Sequence, residues 1–375
     1  MQYGTTIAVA AALAMGAIAQ TSASPDKWRA QFFHDKYDST LAFTDIKCPA
    51  PGRCLASGVI TDGKHRKGTL VVTSDGGAHW TYQETKDLPA ALFFHDATNG
   101  WMITDKDAWR TADGGVTWTK LGGVKGAQDI YFADLERGWV ARPGGLEETT
   151  DGGKNWKKVH LSSTEDIPSK TMFDSIAMAH DKRGIVSGTW SPDKTPIVWA
   201  APELLEWSSL ERTILLETKD GGNSWSAAAG TMRGSLSHVQ YDHQGRAMAI
   251  IEGFWKTADA PELVRYDYKN KSWGELFRNK RRAVRDYYIS PSGEIFVAAV
   301  EPPGALANSP IPGKLKILRS GRMLDWKDMD VDYRAVAADA YLAGNAQGMW
   351  VATDTGMILH CGPVASPQAV ETAIR

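Results

Sequence analysis

The pattern Thr-x-Asp-Gly-Gly-x-x-Trp occurs four times, running from Thr73 to Trp80, Thr111 to Trp118, Thr149 to Trp156 and Thr218 to Trp225. Trp80, Trp118 and Trp156 are each 38 residues apart. A fixed period in this range marks stacked supersecondary units, none of which can bury its apolar face alone. Upstream of the octets lie short apolar runs, as in Leu92 to Phe94 followed by Gly100 to Met102, and Ile130 to Phe132 followed by Gly138 to Val140. Such runs read as strands, so each unit holds four, A to D, with the octet as the C to D hairpin.

Within the octet each residue type has a mechanical task. The carboxylates of Asp75, Asp113, Asp151 and Asp220 can accept backbone N–H bonds across the turn, while Gly77, Gly115, Gly153 and Gly222, each preceded by another glycine, permit the positive φ of a tight hairpin. Trp80, Trp118, Trp156 and Trp225 then fold back as apolar plugs. The run lacks the alternating oxygen ligands and terminal Glu of a calcium loop, so no metal is expected, and no motif calls for a cofactor.

Degenerate copies continue the series. Val239 to Asp242, Ala247 to Ile251 and a hairpin ending at Trp273 make a fifth unit; Tyr287 to Ile289, Glu294 to Val300 and Lys316 to Trp326 make a sixth. A last unit offers Ala335 to Ala337, Met349 to Ala352 and Met357 to Cys361, with its fourth strand supplied by Trp28 to Phe33. Such a closure removes two exposed sheet edges. The expected fold is therefore all-β: a seven-bladed β-propeller of four-stranded antiparallel blades closed by an N-terminal strand. Six or eight blades are the neighbouring counts, because the stretch from His160 to Leu216 exceeds one blade.

A chain of 375 residues with 15 Trp and 36 Gly suits one large β-domain of many short strands and tight turns. Its formal charge of −2 argues against nonspecific nucleic-acid binding. Met1 to Ser24 carry no charge and contain the apolar run Ile7 to Ala19, too short for a membrane span but suited to a signal-peptide core. The expected organisation is a signal peptide over 1–23, a propeller over 24–361 and a disordered tail over 362–375. The mature protein is expected to be a secreted or periplasmic monomer without a membrane span. Cys48 and Cys54 flank a Pro-Ala-Pro-Gly-Arg turn and suit a disulfide in that compartment, leaving Cys361 over.

The octets resemble the BNR or Asp-box repeats of bacterial neuraminidases. The fuller pattern of Phe-x-Asp, Gly-Trp and octet is similar to the photosystem II assembly and stability factor family of seven-bladed propellers. The resemblance spans about Trp28 to Cys361 and implies a fold more than a function, since Asp-box propellers include sialidases, xyloglucan-cleaving hydrolases, receptors and assembly chaperones. A sialidase would need an arginine triad, a Tyr–Glu nucleophile pair and a Phe-Arg-Ile-Pro motif before the first octet; that last motif is absent.

Functional expectations therefore rest on the loops. B to C loops and D to A connections share the face opposite the octets, and the unusual insertions fall there: Trp190 to Arg212, carrying Trp190, Trp199 and Trp207, and the Pro-rich Glu301 to Lys314. The same face receives Lys64, Arg66 and Lys67, with His65 between them, and the cluster Arg278, Lys280, Arg281 and Arg282. Aromatic anchors beside a basic rim suit a protein partner of acidic character. The leading expectation is a non-enzymatic assembly or scaffold propeller. The alternative is a glycoside hydrolase acting on a glycan, for which Glu206, Glu211 and Glu252 are conceivable acids although no catalytic residue is identified.

Overall fold

The computed structural model describes residues 27–161, 167–168, 170–191, 212–227, 232–252, 261–270, 272–301, 312–321, 323 and 325–362; side chains of 232 and 233 lie outside the description. The described residues form β-strands and no helix. The strands make seven antiparallel blades arranged in a ring, each counted outward from an inner strand at the axis. Those inner strands are Ser39–Ala50, Pro89–Phe94, Asp129–Phe132, Met172–Met178, Ser235–Tyr241, Ala283–Ile289 and Ala340–Asn345.

Closure uses the segment anticipated for it. Lys27–Phe33 pairs antiparallel with Met357–Cys361, opposing Arg29 to His360 and Phe33 to Met357. Trp28, fully buried, locks this strand into the core between the sixth and seventh blades, beside Leu342 and Leu359. The first strand of blade seven differs from expectation. It is Ala340–Asn345, whereas Val336–Ala337 adds to the sixth blade opposite Gly313 and Lys314. Ala335 and Ala337 are buried as an inner strand's residues would be, which is why the pattern misplaces them. The described residues between His160 and Thr218 belong to one blade, whose second and third strands, Gly184–Trp190 and Arg212–Thr218, pair along their whole length.

The four octets share one hydrogen-bond scheme. In each, the Thr hydroxyl donates to the Asp carboxylate over 2.8 Å and accepts the second glycine's N–H. The backbone N–H just before the Trp donates to the same carboxylate over 2.9 Å. Both glycines of every octet have φ between 69° and 98°, where a Cβ is strained. Gly222 has a second reason to lack a side chain: a Cβ there would lie 2.3 Å from the Trp139 ring. Hydrogen bonds from Thr117 to Asp113 and from Ser224 to Asp220 hold both carboxyls down at about 2, so these turns stay ionised at any ordinary pH.

The apolar interior is divided into seven clusters, one in each seam between neighbouring blades. The octet tryptophans wedge into four of them; Trp118 meets Phe94 edge-on and Trp156 meets Phe132. Cys48 and Cys54 form a disulfide across the first inner hairpin, and Cys361 is buried outside any disulfide. No helix among the described residues is long and apolar enough to cross a membrane.

Candidate functional site

The inner strands surround an axial cavity of about 720 Å³. Several carry a β-bulge, as between Phe43 and Asp45, Phe173 and Ser175, and Val284 and Asp286. A bulge re-aims the side chain beside it, and here it turns a polar group toward the next blade. Asp45 accepts the N–H of Ile46 on one oxygen and that of Leu92, in blade two, on the other, both over 2.8 Å. Asp129 does the same with Ile130 and with Ile176 of blade four, and Asp286 with Tyr287 and with Leu342 of blade seven. Ser175 continues the series by accepting the N–H of Val239 in blade five over 2.9 Å. One position per strand thus stitches four of the seven seams.

Lys47 reaches back into this ring with its ammonium 2.6 Å from Asp45 Oδ1. Enclosure works against its charge, but attraction to Asp45, Asp286 and Asp129 prevails, and its pKa is raised. Toward the octet face the cavity wall turns aromatic, with Phe93 and Tyr131 in contact at 5.1 Å between centroids and Tyr288 across from them.

Two carboxyls in the cavity titrate far from their usual range. Burial pushes Asp129 up to about 6, against the pull of its two backbone N–H bonds. Asp174 is pushed up to about 7, by burial first and then by the negative charge of Asp129. Asp174 sits in the bulge itself, at the place Thr44 takes in the first blade. The Thr44 hydroxyl lies 3.0 Å from Ser57 and donates to the Pro89 carbonyl, whereas Asp174 beside Ser187 keeps one buried carboxyl oxygen without a hydrogen-bond partner among the described residues.

The residues anticipated on the loop face differ in their surroundings. Arg282 bonds both oxygens of Asp328, at 2.6 and 2.8 Å, and Arg278 lies 3.4 Å from Glu262, so much of that cluster is neutralised internally. Lys280 and Arg281 are exposed, as are Lys64, Arg66 and Lys67, and none of these five has an acidic partner among the described residues. Trp190 is half-buried against the core of blade four, with the Arg212 guanidinium 4.6 Å above its ring. Trp199, Trp207, Glu206 and Glu211 lie outside the described residues; Glu252 is exposed at the end of its strand.

The channel carboxylates were not anticipated. For the three that stitch seams, the one signal is an Asp set directly before an apolar residue within an inner strand, as in Asp45-Ile46, Asp129-Ile130 and Asp286-Tyr287. At three occurrences without a fixed spacing, the signal is faint.

Fold and channel together define a seven-bladed β-propeller whose seams are sewn by axial side chains. The chain resembles, in particular, the photosystem II assembly factor YCF48. It superposes on YCF48 bound to a D1 peptide with a TM-score of 0.59 at 17% identity, covering 91% of this chain and 98% of that one. YCF48 from Cyanidioschyzon merolae gives 0.57 at 15%, covering 90% and 98%. An ancestral GH74 enzyme gives 0.56 at 12%, covering 88% of this chain and 46% of that one. No family model and no curated protein matches the sequence. Likeness at such identities establishes the fold, which hosts both binding proteins and hydrolases.

Proposed function

We propose that this chain is an exported protein-binding propeller of assembly-factor or scaffold type, engaging its partner through the loop face opposite the octets. The observation that carries this reading is the distribution of unspent charge. The carboxylates of Asp45, Asp129 and Asp286 are occupied in holding blades together, while Lys64, Arg66, Lys67, Lys280 and Arg281 stand exposed without acidic partners among the described residues. Exposed, unpaired cations steer and select an acidic partner at little cost to the fold. The apolar stretch near Met1 and the Cys48–Cys54 disulfide support export, and a structural neighbour is described as bound to a peptide.

The structure refines where to test this. Reversing Arg282 would break its bidentate pair with Asp328 and confound binding with local damage. Lys280→Glu with Arg281→Glu leaves the blades untouched, and capture of the partner from a native extract is expected to fall at least tenfold. Undiminished capture overturns the reading.

A glycoside hydrolase is the second reading, and one observation favours it: Asp174 is held at about 7 in a cavity that also contains Asp129. A carboxyl half-protonated near neutrality is the state required of a general acid. Hydrolysis of any member of a glycan panel, abolished by Asp174→Asn, is the result expected of an enzyme. Absence of hydrolysis across the panel removes this reading.

A further inference from the structure

In three blades the third strand projects beyond the fourth on the loop face, and the chain covers the projection in two of them. In blade four the projection begins at Arg212, and Met232–Arg233 covers it by pairing antiparallel with Arg212 and Thr213. In blade six Val336–Ala337 covers Gly313 and Lys314 in the same way. In blade one the third strand, His65–Thr73, pairs with the second down to the turn, opposing His65 to Asp62. Its outer neighbour Thr81–Glu84 reaches only as far as Thr69, with one further bond from the Thr85 N–H to the Gly68 carbonyl. Among the described residues nothing pairs with the outer edge of His65, Arg66 and Lys67.

The register says which backbone groups that edge presents. Gly68 directs its carbonyl outward, to Thr85. Peptide groups alternate sides along a strand, so Arg66 also directs both its N–H and its C=O outward, while His65 and Lys67 bond to the second strand. An exposed edge of this kind is a template for another strand. The chain's own covering strands in blades four and six are two residues long, so the pairing on offer in blade one is of the size this fold already uses.

We propose that the open edge of blade one receives an extended acidic segment of the partner protein, added antiparallel beside Arg66 as Met232–Arg233 and Val336–Ala337 are added to their blades. The inference rests on the protein-binding reading above and gives it a location and a ligand chemistry. Charge identifies the occupant: Lys64, Arg66 and Lys67 are exposed and lack acidic partners among the described residues. Neighbouring side chains on a strand point to opposite faces, so Arg66 addresses one face of the added strand while His65 and Lys67 address the other. A run of consecutive acidic residues meets a cation on each face, whereas isolated ones meet only half the site.

The test separates main-chain pairing from charge attraction. The probe is a fluorescein-labelled nonapeptide with a central Glu-Glu-Glu flanked by Val and Thr, compared with its counterpart N-methylated at the central residue. On the protein, Arg66→Pro deletes both a guanidinium and an N–H that points away from the blade, a substitution that edge strands tolerate, and Arg66→Ala deletes the guanidinium alone; Lys67→Glu likewise changes charge alone. Binding of the unmodified peptide by fluorescence anisotropy is expected, weakened at least tenfold by N-methylation, by Arg66→Pro and by Lys67→Glu. Equal binding of the two peptides, or no binding of either, overturns the proposal without involving any protein variant. If Lys280→Glu/Arg281→Glu abolishes partner capture and Arg66→Pro does not, the edge is refuted and the loop-face reading stands; if neither affects capture, both fall.

Discussion

Asp45→Ala is expected to destabilise the protein by about 2–6 kcal/mol, since it orphans two buried backbone donors at about 1–3 kcal/mol each. The donors are the N–H groups of Ile46 and of Leu92, which belong to adjacent blades. Few seam residues combine this with an ion partner, and the loss also strips Lys47 of the carboxylate 2.6 Å from its ammonium. Asp45→Asn keeps one acceptor and should cost less. Pairing Asp45→Ala with Lys47→Met should recover part of the loss, because the cation that would lack its counter-charge is gone, and Asp45→Ala, Lys47→Met and their combination form a double-mutant cycle. Equilibrium denaturation measures the stability, while hydrogen exchange at Leu92 reports whether the seam between blades one and two is what opens. A variant as stable as the parent, with Leu92 still protected, would show that the stitch contributes nothing.

Sequence legibility follows the range of the interactions. The octets are legible because Thr, Asp, Gly and Trp do their work within eight residues, and the blade that has lost Asp-Gly-Gly before Trp273 still keeps its alternating strands. The stitches are not, because Asp45 is defined by a donor 47 residues away, as is Asp129, and Asp286 by one 56 residues away. The same distance hides neutralisation. Arg278 to Arg282 reads as a basic run, yet the partner of Arg282 lies 46 residues on. Misplacement of Ala335 to Ala337 as an inner strand has a related cause: burial between two blades looks alike whether a segment starts one blade or covers the edge of the other. The Lys64 to Lys67 run is visible in sequence, but its open edge emerges only by comparison with blades four and six.

Asp174→Asn is expected to stabilise the protein, and only above a definite pH. Asp174 titrates near 7 when folded and near 3.8 when exposed. Between these values the folded chain holds a proton that the unfolded chain has released, so stability falls as pH rises from about 4 to about 7 and stays at the lower level above that. At about 1.4 kcal/mol per pKa unit the full cost is on the order of 4 kcal/mol, and asparagine, which does not ionise, avoids it. Asp129 slopes in the same direction up to about 6 and remains in both proteins. The difference between variant and parent should therefore be near zero at pH 4, open through pH 5 and 6, and level off by pH 8 in denaturant titrations. Asp174→Thr installs the residue that blade one uses beside Ser57, and should share that profile if the bulge accepts a hydroxyl as it does at Thr44. A stability difference of equal size at pH 4 and pH 8 would mean that Asp174 is not the ionising group. Persistence of so costly a carboxylate in a cavity where threonine serves elsewhere is also what the enzymatic reading would require, so the glycan panel and the pH titration bear on the same side chain. Stabilisation without loss of any hydrolysis leaves Asp174 as a burden on the fold and the loop face as the seat of function.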